Sequence, residues 1–265
     1  MRDDLLHAHA SIDWAIAKLP AFGEEIESWL SANVDCRVEQ LEPQLTHSPI
    51  IVKMKAPLPL SFNVESGVYI NAIRSSLDIL FTTLATRYGI GKPEDAYFPI
   101  APSDTDFARG KYRGAKLVKG LPDIERAIIE GLEPYKGGNA PLFALHHLDI
   151  MRKHRRLLNV AVIPNYTISD TTGSGGLRPV GQFVIGNISA GFETRDFILF
   201  GGGSLSADHE SLLGLARNTT ADYKFEFTAQ ITLNESTSAE PLEVIGTLRE
   251  FASLAHSIIK LFDTP

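Results

Sequence analysis

The chain has 265 residues, with 25 Lys and Arg against 32 Asp and Glu, a net charge of −7 at pH 7. Hydrophobic residues make up 44% and charged residues 22%, the balance of a chain that builds its own core without disulfides or structural metal. No apolar run reaches the roughly 18 residues of a membrane-spanning helix, the acidic start Arg2-Asp3-Asp4 does not read as a secretory leader, and the lone Cys36 excludes an intramolecular disulfide and a cysteine-built metal cluster. The expectation is a cytoplasmic protein with no membrane partner.

Asp4 to Leu30 reads as helix, because Leu5, His9, Ile12, Ile16 and Leu19 recur at helical spacing, with a break expected at Pro20 and Gly23. The period then changes to two around Val34, Cys36 and Val38, and again around Ile50, Val52 and Met54. These are two strands joined by a loop from Pro43 to Pro49. A long helix follows over 63–87, with Ile70, Ile73, Leu77, Leu80, Leu84 and Tyr88 as its apolar stripe. Ser103 is the expected N-cap of a helix to Val118, and Pro122-Asp123 opens another. The helix over 141–156 carries His146, His147 and His154 and ends in a basic run.

Beyond 157 the pattern is strand-like: Leu158 to Val162, Phe183 to Ile185, Phe197 to Phe200, and the clean alternation of Tyr223 to Leu233. A last helix over 242–262 presents Ile245, Leu248, Ala252, Ala255 and Ile259. Helices and strands are grouped and do not alternate. The expected fold is α+β, with long helices packed on a mostly antiparallel sheet. The expected organisation is a single domain over 1–265, with the helical segment 60–156 inserted between early strands (34–55) and late strands (158–233) that pair in one sheet.

Two helices carry the residues of chemical interest. Arg74 and Asp78 are four apart and share a face, as an ion pair does. On the helix 141–156, His146, Asp149, Lys153 and Arg156 form one polar face, and His147 and His154 lie on a neighbouring one. The run from Arg152 to Arg156 suits an anionic ligand, phosphate, carboxylate or RNA. It equally suits a solvated C-terminal turn that complements the helix dipole. His146, Asp149 and His147 or His154 are metal-ligand types, but His146 and His147 project about 100° apart, so no metal is assigned. The glycine-rich stretches 173–176 and 201–204 lack the P-loop and dinucleotide spacings and read as turns.

Several segments, in order, resemble a family of uncharacterised bacterial and phage-associated proteins. They are Asn-Ala-Ile-Arg-Ser-Ser-Leu-Asp-Ile-Leu (71–80), Phe-Pro-Ile (98–100), Leu-Glu-Pro-Tyr (132–135), Leu-His-His-Leu-Asp (145–149) and Lys-His-Arg-Arg-Leu-Leu (153–158). Members typically show an Arg-Ser-Ala-Leu-Asp-His helix, a Phe-Pro-Ile segment, a Gln-Pro-Tyr turn and an Asp-Lys-His-Arg helix end. The likeness covers about residues 63–160 and implies a fold, not an activity. The family's Arg-x4-His pattern is similar in turn to the HEPN superfamily, whose helical domains often cut RNA without metal through an Arg and a His. This chain departs from the pattern at two places: Ile79 stands where that His is expected, and Arg152 where the family has an acid before Lys153-His154.

The resulting expectation is a non-catalytic binding or interaction protein, with no cofactor and an oligomer compatible with the sequence. Its site comprises Arg74, Asp78, His146, Asp149, Lys153 and His154 on facing sides of the two helices. The alternative is a metal-independent ribonuclease or nucleotide-acting enzyme that uses Arg74 and His154 in an open groove.

Overall fold

The computed structural model describes residues 2–38, 50–154, 156–170, 178–184, 197–199, 223–233 and 242–263. The chain is α+β. In order, the elements are α1 (Leu6–Asn33), β1 (Val34–Val38), β2 (Ile50–Met54), α2 (Leu60–Arg87), α3 (Asp104–Arg109), α4 (Arg113–Val118), α5 (Asp123–Gly131), α6 (Ala140–His154), β3 (Val160–Asp170), β4 (Arg178–Val184), β5 (Phe197–Leu199), β6 (Tyr223–Leu233), β7 (Leu242–Glu243) and α7 (Val244–Lys260). Two compact units divide them, each made of separated pieces of chain. The first takes 1–24, 60–160 and 233–265; the second takes 25–59 and 161–232.

The first unit is helical, and α2 is its centre, packed against both α6 and α7. Ile70, Ile73, Leu77, Leu80 and Leu84 are all fully buried, so the stripe read from the sequence is the one that faces the core. Leu248, Ala252, Ala255 and Ile259 of α7 are buried likewise. The α7 N-terminus is capped by Glu243, whose carboxylate accepts from the backbone N–H groups of Ile245 and Gly246.

Two helix boundaries differ from the sequence expectation. α1 runs unbroken through Pro20 and Gly23. Proline removes one backbone hydrogen bond, at a cost of about 3 kcal/mol, yet Leu19 and Phe22 on either side of it are buried. Phe22 stacks on Tyr69 at 5.3 Å and meets Phe62 edge-on at 6.0 Å, so tertiary packing holds the turn that local propensity would break. Conversely, the helix expected from Ser103 to Val118 is two short ones. Ser103 caps α3 by accepting from Asp106 N at 3.1 Å, but Gly110 takes φ +67° and ends it.

In the second unit β1, β2 and β5 form one antiparallel sheet in the order β1-β2-β5, with Val34 opposite Met54 and Ile50 opposite Leu199. An early hairpin thus pairs with one late strand. β4, β3 and β6 lie side by side in a separate sheet, so of the described late strands only β5 joins the early hairpin. β3 and β4 are antiparallel, with Tyr166 opposite Phe183 and a bulge at Ile168/Ser169. The side chain of Cys36 and the alternation of Phe225, Phe227 and Ala229 fall outside the described side chains, and so do the two glycine-rich stretches entirely.

Candidate functional site

All six residues singled out from the sequence lie in the helical unit, on α2 and α6. The periodicity of α2 places Arg74 beside Ile73 and Leu77, and it is only 3% exposed. A guanidinium at that depth must have its donors satisfied. Its Nη1 donates to Asp78 Oδ1 at 2.6 Å, one turn along the same helix, and its Nη2 donates to the Phe98 carbonyl at 3.2 Å. Its Nε donates to His146 Nδ1 on α6 at 3.5 Å. All three guanidinium nitrogens are therefore engaged, each with a different segment.

The Phe98 segment is held as tightly. Asp78 Oδ1 accepts from Phe98 N at 2.9 Å, and Thr82 Oγ1 donates to the Ala96 carbonyl at 2.8 Å. Ala101 N donates to the Pro134 carbonyl at 2.9 Å, and Ala101 forms a parallel bridge with Tyr135. The Phe-Pro-Ile segment and the Glu-Pro-Tyr turn meet at this bridge, next to the residues that hold Arg74.

His146 accepts on Nδ1, so its proton sits on Nε2 and the ring is neutral. Burial, the Arg74 charge, His147 and Lys153 together push its pKa down to about 4. One turn on, Asp149 is 4% exposed; its Oδ2 accepts from Lys153 Nζ at 2.6 Å, while its Oδ1 is buried without a hydrogen-bond partner among the described residues. The head of Lys153 reaches solvent. His147 stacks on Phe143 at 6.5 Å.

His154 is exposed at the end of α6. It lies eight residues beyond His146, about 12 Å along the helix axis. The histidine that Arg74 meets is therefore His146, and the expected Arg74–His154 microenvironment does not form. The register between α2 and α6 decides this. Arg152 crosses α2 at Gly67, where a Cβ would stand 2.9 Å from Arg152 Cδ. That contact places the C-terminal turn of α6 opposite the N-terminal half of α2, two turns short of Arg74. Arg155 lies outside the described residues, and no group of three or more metal-ligating side chains occurs among those described.

Sequence reasoning missed two contributors. The Phe98 backbone supplies both an acceptor and a donor, and no side-chain pattern encodes that. A second polar link joins His9 Nε2 to Asp263 Oδ2 at 2.9 Å, with Arg2 N donating to Asp263 Oδ1 at 3.0 Å. Burial alone would raise the Asp263 carboxyl; the Arg2 amide and His9 outweigh it and hold the pKa below 3.8. A pair 254 residues apart leaves no local signal.

Comparison with family models, with curated proteins and with solved structures finds no match for this chain. Among the described residues no helix is long and apolar enough to cross a membrane.

Proposed function

We propose that this is a non-catalytic binding protein of the bacterial cytoplasm, in which the Arg74 cluster is a clamp that sets α2 against α6. The observation that carries this reading is the enclosure of Arg74. A guanidinium 3% exposed, with each of its three nitrogens already donating to Asp78, Phe98 or His146, is shut off from a substrate phosphate. A neutral His146 that already accepts from an arginine is likewise a poor general base. What the clamp presents to solvent is the far end of α6: Arg152, Lys153, His154 and Arg156, in a chain of net charge −7. An anionic partner is the natural complement of that turn.

Incubation with a short single-stranded RNA tests both halves. The expected result is no cleavage by the wild type, by Arg74→Ala or by His154→Ala. Cleavage by the wild type that both variants lose would replace the binding reading with the ribonuclease one. Binding of the same RNA that weakens steeply with salt and is lost in a Lys153→Ala, Arg156→Ala double variant would identify the α6 turn as the anion site.

A further inference from the structure

Two surfaces of the helical unit are apolar, exposed and opposite in charge. On α2, Leu60, Val64 and Val68 are 56%, 46% and 41% exposed. Spacing of four puts them in one row about 12 Å long. Arg152 lies along that row because Gly67, between Val64 and Val68, has no side chain to hold it off. Lys153 and Arg156 stand exposed at the same end of α6, and both have partners within the chain, Asp149 in the case of Lys153.

On α5, Ile124 is 75% exposed, more than any other large exposed hydrophobic residue among those described. Exposed Ala127 and half-buried Ile128 share its face. Glu130 and Asp123 stand exposed on the flank, Asp123 also pairing with Arg126, and Glu125 accepts from the Tyr88 hydroxyl, so the helix keeps three acids against one base. One chain thus carries an apolar row with a basic rim and an apolar helix with an acidic rim. Because the chain as a whole is acidic, another copy is repelled over most of its surface and attracted at the end of α6.

We infer that the protein associates head-to-tail with a second copy of itself. The α5 helix of one copy, led by Ile124, seats on the Leu60–Val64–Val68 row of the next, with Asp123 and Glu130 against the α6 border. This rests on the binding reading above and names the partner. Such a contact is heterologous: it closes into a ring if the rotation allows and otherwise propagates.

Sedimentation velocity over a concentration series tests it, on the full chain with Val64→Glu and Ile124→Lys variants. Both positions are solvent-facing, and unchanged circular dichroism verifies the fold. The wild type is expected to self-associate, less so in high salt. Each variant is expected to weaken association by at least about tenfold, because one sets an acid against α5 and the other a base against the α6 border. Mixed, they are expected to form a one-to-one complex, since the intact α5 of Val64→Glu still fits the intact row of Ile124→Lys. A wild type that stays monomeric to about 1 mM, the weak end of specific association, overturns the inference. So does association that either variant leaves unchanged, or a mixture that does not recombine. If the monomer nonetheless binds RNA, only the self-docking falls and the binding reading stands.

Discussion

At Arg74 a positive charge is buried within one helix stripe, and the cost of that burial is met by geometry. The flat fork of the guanidinium divides its donors among Asp78, the Phe98 carbonyl and His146. Lysine has one compact head and cannot reach all three. Replacing Arg74 by Met should therefore cost about 3–5 kcal/mol in urea denaturation, and Arg74→Lys should recover little of it. His146 adds a pH dependence whose sign is fixed. Its folded pKa of about 4 lies below the ordinary 6.5, so between these values the unfolded chain binds a proton that the folded chain does not. Stability is full above pH 6.5 and declines as pH falls toward 4, by up to about 3 kcal/mol from this group. His146→Asn, which keeps an acceptor near Nδ1 but does not titrate, should flatten that part of the stability–pH curve. An unchanged slope would mean that the ring is already charged in the fold. The identity of the Arg74–Asp78 pair was legible in the sequence because it is local. The choice of His146 over His154 was not, because it depends on how far α6 slides along α2.

Among the elements, the long helices are those whose periodicity announces them: α2, α6 and α7 each lie within a few residues of the expected bounds. The errors fall where a local signal and tertiary packing disagree. Pro20 is a breaker by propensity, but α1 carries it because buried residues flank it on both sides. Gly110 stands between Arg109 and Lys111 in a stretch read from the sequence as one helix, and its left-handed backbone separates α3 from α4. A second glycine makes the same point in reverse. Gly114 lies inside α4, where alanine is normally favoured by about 1 kcal/mol. Yet a Cβ there would collide with the Tyr97 carbonyl oxygen and stand 3.0 Å from Pro99 Cα, and neither is a flexible side chain. Gly114→Ala should therefore destabilise the protein by about 2–3 kcal/mol. A thermal melt at or above the wild-type midpoint would show that α4 can move away from the 97–99 segment.

Across the whole molecule the chain passes between the two units four times, at 24/25, 59/60, 160/161 and 232/233. The grouping of helices and strands pointed to α+β, and the position of 60–156 between early and late strands could be read from sequence order alone. The division of labour could not, because it depends on which distant pieces meet. The helical unit is closed by contacts between its first and last turns, where Asp263 accepts from Arg2 N and pairs with His9. Asp263→Ala should cost about 1–2 kcal/mol by removing both. It should also speed amide exchange in the first turn of α1 and the last turn of α7 together. Faster exchange at only one of these ends would show that the pair does not join them.

That threading has a practical corollary for anyone wanting the helical half in isolation. A fragment cut at 60 and 160 would leave α7 behind and expose the α2 surface that α7 covers, inviting aggregation more than folding. A faithful minimal version would have to be rewired, with the strand-bearing stretches excised and the three remaining pieces rejoined by short bridges.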